Sequence, residues 1–542
     1  MPDLNNILAL IGIMLLAGAL SNKLSSRFNV PILILFLLLG GLLGYDYMPT
    51  VQSFQGVNIF GTVAMSFILF SGGIDTSFNK VKDVLLPGGI LATFGVLITA
   101  FLLGAGTLLI ADELLIVPNA NGTIPEVPYI KIFGTAMLLG AMVSSTDAAA
   151  VFAILSGKKV GLKGKLKPLL ELESGSNDPM AYFLTVLMVD ILTGDKAFSL
   201  ITIPMLVYRM AAGIFFGWLT GRISKSLYNI KLDYEGLYFV FNVAIVLFVY
   251  GFSEMMKANG MMACYVCGMT MNYYRFNYQK SISRFSDGVS WLMQVALFTS
   301  LGLFVDVQLL PDILVEGTLL ACFLMLVARP VSIMITLIPG GFSFKEKLFV
   351  SWVGLRGAAP IVLATFPLAN FENAPGEPAG RILFNLIFII VILSLVIQGT
   401  SLMPLAKRMK LDKPVADRER SPLELEQTAV SKGNTMFEFV VKEDSPIAGK
   451  SLAELQISSE LLVTMIRRKD RMIQPRGATV VECGDGMTVM GSIKELQAFA
   501  EKNFPEEYKE LTILSDSETG FKFNNILSRS TNRERFFGDI RR

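Results

Sequence analysis

A chain of 542 residues that is 52% hydrophobic and only 17% charged, with a mean hydropathy of +0.55, is too apolar for a soluble globule. It reads as a polytopic membrane protein with a modest soluble part. A net charge of +2 gives no electrostatic reason to expect nucleic acid as a partner, and the absence of histidine leaves proton chemistry near neutral pH to carboxylates with displaced pKa values.

The N-terminus, Met1-Pro2-Asp3, lacks a basic n-region, so the first apolar run is expected to be a retained span and not a cleaved signal. Runs of span length lie near 5–21, 30–45, 57–74, 85–110, 130–156, 168–193, 203–223, 236–254, 259–273, 289–306, 314–338, 346–369 and 380–404, about thirteen transmembrane helices. Loop charges alternate. Lys23 and Arg27, Lys80 and Lys82, Lys158 to Lys167, Arg222 to Lys231, Arg275 to Arg284, Lys345 and Lys347, and Lys407 to Lys410 follow the odd-numbered runs. The other loops are poor in Lys and Arg, which predicts an outside N-terminus and a cytoplasmic C-terminus.

Two runs contain helix breakers. The fifth carries Ser144-Ser145-Thr146-Asp147 and the twelfth Gly354-Leu355-Arg356-Gly357-Ala-Ala-Pro360; the first set prefers caps and local backbone bonds, the second breaks helix outright. With the seventh run as a linker, both breaks fall in the fifth span of a six-span unit, and the two units run in opposite directions. Matching interruptions of this kind point to an inverted-repeat transporter with two broken, crossing helices and a midplane site. Asp147 would then balance positive helix N-termini and Arg356 negative C-termini. Two ordinary kinks are the simpler alternative.

The sixth run opens with Glu171-Leu-Glu173-Ser174-Gly175-Ser-Asn177-Asp178-Pro179-Met180. Ionisable groups near mid-bilayer cost about 2.5–3.5 kcal/mol each and generally line an ion or proton path. Ser174 and Asp178 share one helix face, Glu173 and Asn177 a neighbouring one. Pro179 has no N–H for the Gly175 carbonyl, so a carbonyl, a hydroxyl and a carboxylate can converge on a dehydrated monovalent cation. A charged loop outside the span is the competing reading, with Glu171 nearer the cytoplasmic mouth in either case. Arg329, late in the eleventh run, either snorkels to the interface or counts as a second buried arginine. In the latter case two arginines face Asp147, Glu173 and Asp178, and one carboxylate is left over as the exchangeable group. Cys264, Cys267 and Cys322 sit in apolar runs, and without histidine or a second CxxC they read as core filler and not as a metal site.

Ser145-Thr146-Asp147, Glu173-Ser174-x-x-Asn177-Asp178 and Gly354-Leu-Arg356-Gly357 together resemble the signature of the monovalent cation:proton antiporters, most closely the NhaP-type branch of family 1, over about residues 5–405. The resemblance implies a dimerisation domain and a core domain holding the crossed helices. It implies that Asp178 alternately binds cation and proton, assisted by Ser174 and the Thr146 carbonyl, and that Glu173 pairs structurally with Arg356, with Arg329 the next partner to consider. Asn177-Asp178 in place of two aspartates resembles the electroneutral members. Two departures stand out: Ala148 where members often have proline, and Ser71 in the third run where some carry an acid.

After residue 408 the composition shifts. Residues 409–434 read as a charged linker and 435–500 as a small α+β domain, with strands at 436–441, 461–467, 478–482 and 487–490, a short helix at 452–455 and a closing helix at 493–501. Residues 501–542 are polar and expected to be partly disordered. The strings Ile447-Ala-Gly449-Lys-Ser-Leu452, Gln474-Pro475-Arg-Gly477 and Gly484-Asp485 resemble the C-terminal lobe of RCK (TrkA-C) domains. The resemblance implies regulation, in several members by nucleotides such as cyclic di-AMP, and favours potassium over sodium. Arg467, Arg468 and Arg476 are the candidate contacts for a phosphate; a packing module without ligand is the alternative.

The reading is therefore an all-α polytopic membrane protein with a small cytoplasmic α+β domain. It is expected to be a homodimer in the bacterial inner membrane, exchanging K+ or Na+ for H+ without enzymatic activity or obligatory cofactor. A cation channel, or another ion transporter regulated by the lobe, is the competing class. A channel filter such as TVGYG is missing, and without histidine a membrane-embedded serine protease lacks its general base.

Overall fold

The computed structural model describes residues 32–47, 54–111, 129–157, 160–194, 202–371, 377–414, 434–441 and 445–504, with the pieces 12–13, 15–16 and 114 and without positions 231, 233, 235, 275, 277, 456, 469 and 470. The chain divides into two compact units, Met1–Val415 and Ala416–Arg542. The expected first span, 5–21, falls almost wholly outside the described residues, and the total of thirteen remains an expectation.

The first unit is helical: α1 Ile32–Tyr47, α2 Phe54–Asp75, α3 Phe78–Ile110, α4 Tyr129–Val143, α5 Ala148–Gly157, α6 Leu166–Thr193, α7 Thr202–Tyr228, α8 Leu237–Met255, α9 Gly260–Tyr273, α10 Gln279–Gly302, α11 Leu310–Thr336, α12 Phe344–Trp352, α13 Ala358–Asn370 and α14 Glu377–Arg408. Six of the described helices are long and apolar enough to cross a bilayer on their own. Only helices and closed barrels satisfy all their backbone groups in hydrocarbon, which is why apolar runs of this length fold as they do. Leu37, Leu103, Phe349 and Phe384 are buried between helices, while Phe101, Leu109, Phe215 and Phe248 point outward, as a bilayer-facing surface requires.

Both expected interruptions are present. The backbone leaves the helix between α4 and α5 and again between α12 and α13. A second matched feature was not legible beforehand. Each helix preceding a broken one, α3 and α11, contains a five-residue π-turn, at Leu91–Gly95 and Leu324–Ala328. Such turns widen the helix and free carbonyl groups. The Gly95 carbonyl is satisfied by the Ser332 hydroxyl of α11 at 2.8 Å, so α11 meets α3 at the first of these turns. Matching defects at corresponding places in the two halves are a structural counterpart of the inverted repeat read from the sequence.

A short antiparallel pair was also unforeseen. β1, Val160–Leu162, pairs with β2, Asp412–Pro414, and Lys163 N–H donates to the Leu411 carbonyl at 2.9 Å. The start of the expected 409–434 linker is thus tied to the membrane unit, between the end of α5 and the start of α6.

The second unit holds a four-stranded antiparallel sheet in the order β3 (Asn434–Val440), β6 (Gly486–Ser492), β4 (Leu462–Arg468), β5 (Arg471–Ile473). It is closed by α15, Ile493–Asn503. Phe439, Ile466, Met487, Val489, Leu496 and Phe499 form its core. Three expectations need correction. Residues 452–455 are turns and not a helix, because Ser451 bridges to Val480 and the Leu452 and Ala453 N–H groups donate across to Thr479 and Gly477. That bridge is all that forms of the strand expected at 478–482, and β5 was missed. The expected disordered tail lies outside the described residues beyond 504.

Arg468, read as a candidate phosphate contact, is already occupied. Its guanidinium grips Asp485 in a fork, Nε to Oδ1 at 2.9 Å and Nη2 to Oδ2 at 2.8 Å, and also bonds Glu482 and the Val480 carbonyl. Hydrogen bonding to Asp485 raises its pKa above the ordinary guanidinium value. Asp485 is fully buried and in turn accepts from the Glu482 N–H at 2.8 Å, so the arginine holds a turn together. Arg467 and Arg476 are exposed. Arg468→Met strands a buried carboxylate; because the arginine side chain is itself 27% exposed, the expected cost is roughly 2–3 kcal/mol, below that of a fully buried pair. Faster amide exchange across 434–504 in the full-length protein would register it, and unchanged protection would contradict it.

Candidate functional site

The two breaks cross. Asp147 N–H donates to the Leu355 carbonyl at 2.8 Å, which joins the unwound strand of the first broken helix to that of the second. The local sequence explains each break. Ser144 turns its hydroxyl onto the Ala141 carbonyl at 2.6 Å, competing with the helical ladder. Asp147 restarts the helix by accepting from Ala150 N–H at 3.1 Å, a normal N-cap contact. Opposite it, Gly357 is required: a Cβ there would come within 1.9 Å of Asp147 Oδ2.

Arg356 closes the crossing. It is 1% exposed and donates from Nη1 to the Ser144 carbonyl at 2.8 Å and to the Ser145 carbonyl. These carbonyls follow the C-terminus of α4, where the helix dipole is negative. The expected division of labour, Asp147 at an N-terminus and Arg356 at a C-terminus, is what the geometry holds. Ser394 on α14 fixes the arginine backbone, accepting from its N–H at 3.1 Å.

Helix α6 docks onto this crossing through the predicted residues. Ser174 Oγ accepts from the Ala148 N–H at 3.0 Å, and Asn177 Nδ2 donates to Thr146 Oγ1 at 2.6 Å. Asp178 follows on the same helix. Around the crossing, among the described residues, Asp178 Oδ1, Glu173 Oε2, Asn177 Oδ1, Ser145 Oγ, Arg329 Nε and two nitrogens of Arg356 are buried without a hydrogen-bond partner. Buried polar groups are rarely left so. Buried oxygens without a protein partner can take a dehydrated cation or a proton. Ser145 was not singled out beforehand; its position in the same break was the available signal.

Sequence relationships agree with this geometry. A family model described as "Sodium/hydrogen exchanger, transmembrane" matches residues 11–408. The chain belongs to the sodium/hydrogen exchanger family. A TrkA-C domain model matches residues 436–503. The chain is 33% identical over 506 residues to the K(+)/H(+) antiporter NhaP2 of Shewanella baltica, covering 91% of this chain and 82% of that one. It is 32% identical to the K(+)/H(+) antiporter NhaP of Alkalimonas amylolytica, with 90% and 82% covered. A solved structure of the sodium proton antiporter MjNhaP1 from Methanocaldococcus jannaschii superposes with a TM-score of 0.62 at 23% identity, over 74% of this chain and 98% of that one; it supports the fold.

Two other polar pairs of this exchanger differ from expectation. Glu173 pairs with Arg329 and not with Arg356, whose guanidinium is turned to the carbonyls of the break. Arg329 leaves α11 directly after its π-turn and lies against the other break, where a Cβ on Gly354 would meet its Nε at 2.7 Å. At 2% exposure it does not snorkel. Glu171 is salt-bridged to the half-exposed Lys167 at 3.5 Å. Ser71, which stands where some family members carry an acid, donates to Asp287 Oδ1 of α10 at 3.0 Å. Asp287 was missed because it adjoins Arg284 in a stretch that reads as the loop before the tenth run.

Removing one partner of a buried ion pair strands the other at a cost of about 3–5 kcal/mol. Glu173→Gln is therefore expected to lower the melting temperature of the purified protein markedly. Adding Arg329→Met should recover most of the loss, and adding Arg356→Met none of it. Recovery by the Arg356 variant instead would reassign the pair.

Proposed function

We propose that this family member exchanges a monovalent cation, potassium first, for a proton at the single carboxylate of Asp178 by alternating access, one charge for one. The observation that carries the reading is the charge arrangement around the crossing. Glu173 is matched by Arg329, Asp147 caps α5, Arg356 serves the carbonyls of the first break, and Asp178 keeps a buried carboxylate oxygen without a partner. That group can exist protonated or with a cation in place of the proton. Ser174, Thr146, Asn177 and Ser145 are the neighbouring oxygen donors from which a cation's remaining shell would be drawn.

Potassium is favoured because the K(+)/H(+) antiporters of Shewanella baltica and Alkalimonas amylolytica match over most of both chains. The Na(+)/H(+) antiporter 1 of Methanocaldococcus jannaschii is 27% identical over 390 residues, which makes sodium the ion to test against it. Asn177 beside Asp178 supports an electroneutral cycle, since only one carboxylate at the site titrates. A homodimer in the inner membrane of a bacterium, with the N-terminus outside and the TrkA-C lobe in the cytoplasm, completes the proposal. The lobe would regulate exchange, with an adenine nucleotide the ligand class to try at Arg467 and Arg476.

In proteoliposomes with a pH-sensitive dye, Asp178→Asn is expected to abolish cation-dependent proton flux under K+, Na+ and Li+ gradients while the protein remains folded. Flux in the parent should not respond to an imposed potential, because a net charge moved would couple at about 2.3 kcal/mol per 100 mV. Persistent flux in the variant sinks the site, and potential-driven flux sinks the stoichiometry. Truncation belongs after Val415, which preserves β2. It is expected to leave exchange intact and to change its rate or pH dependence severalfold, in line with couplings of about 1–3 kcal/mol. Identical pH profiles with and without the lobe, at every nucleotide tried, would deny it a regulatory role.

A further inference from the structure

The ion-site helix α6 is held from outside the crossing as well. Asn259, 3% exposed, precedes α9 and makes two different contacts with one side chain. Its Oδ1 accepts from Met262 N–H at 3.0 Å, capping α9. Its Nδ2 donates to the carbonyl of Pro179 at 2.8 Å, the residue directly after Asp178. Farther along α9, Tyr265, 2% exposed, donates its hydroxyl to the Glu171 carbonyl at 3.2 Å. Between these two ties, the Tyr265 ring occupies the space beside Gly175, where a Cβ would lie 2.1 Å from a ring carbon.

We propose that Asn259 and Tyr265 are positioning residues for the exchange reaction, a two-point clamp from α9 onto the backbone of α6 that sets where the Asp178 carboxylate stands relative to the crossing. The inference rests on the reading of Asp178 as the exchange site. Its physical basis is the weakness of α6 at this point. Pro179 lacks the N–H that would hold the Gly175 carbonyl, so the helix is free to bend between residues 175 and 179. The clamp takes hold at 171 and 179, flanking the missing bond, with carbonyl acceptors that any residue would offer. The crossing grips the other side of the same helix through Ser174 and Asn177. The orientation of Asp178 is therefore set by two opposed sets of contacts, and loosening one shifts the carboxylate. Neither Asn259 nor Tyr265 reaches the carboxylate itself, so their effect is on its affinity for cation and proton and not on the identity of the site.

Two conservative full-length variants separate positioning from mere packing. Asn259→Ser keeps a side-chain oxygen able to cap α9 but is too short to reach Pro179. Tyr265→Phe keeps the ring against Gly175 and loses only the hydroxyl. In proteoliposomes each is expected to raise the half-saturating K+ concentration or displace the pH midpoint of exchange by about three- to tenfold in concentration, the worth of one net hydrogen bond. Melting temperature and maximal rate should stay near the parent's, and the double variant should shift further than either alone. Parental half-saturation and pH midpoint in both variants would overturn the proposal, as would a fall in melting temperature with unchanged ion affinities, which is the signature of a purely structural contact. Failure of the underlying site assignment is seen separately, as exchange that survives Asp178→Asn.

Discussion

The contact on which the rest of this structure depends is the crossing of two unwound segments, joined by the bond from Asp147 N–H to the Leu355 carbonyl. Each break leaves several peptide groups without helical partners, and hydrocarbon offers none. Either break alone would be expensive. Together they supply donors and acceptors to one another, with Arg356 covering the carbonyls after α4 and Asp147 accepting from the Ala150 N–H of α5. Irregular backbone at this depth is tolerable only as a pair, which is why the interruptions occur once in each half.

The crossing also explains the arrangement of charge. Arg356, within the second break, satisfies carbonyls of the first, while Arg329 reaches in from α11 and matches Glu173. Once these roles are filled, Asp178 stands next to a network whose other charges are in use, on a helix weakened by Pro179. Several of its neighbours, Asn177 Oδ1 and Ser145 Oγ among them, likewise keep a buried polar atom without a protein partner.

The second unit is organised by different physics. Its core is a conventional apolar cluster over a four-stranded sheet, and its main buried charge, Asp485, is neutralised within the unit by Arg468. An arginine that looks available for a phosphate in the sequence is an internal strut in the fold. At the other end of the connection, β2 ties the residues after α14 to β1, in the loop between α5 and α6. Residues 412–414 thus lie beside the start of the helix that carries Asp178.

Much of the membrane architecture was determined by sequence alone, because a bilayer demands long apolar runs and penalises every charge and every helix breaker placed within them. The positions of both breaks, the opposed roles of Asp147 and Arg356, and the grouping of Ser174, Asn177 and Asp178 followed from that. Partner choice did not follow. Glu173 is separated from both arginines by more than a hundred and fifty residues, and nothing in spacing says which of them packing will bring near. Asp287, the pairing of β1 with β2, and the turns at 452–455 escaped for the same reason. Local composition at those places was compatible with a loop, a linker or a helix, and contacts made far along the chain chose among them. Periodicity and cost are written locally; the pairing of buried polar groups is a property of the packed molecule.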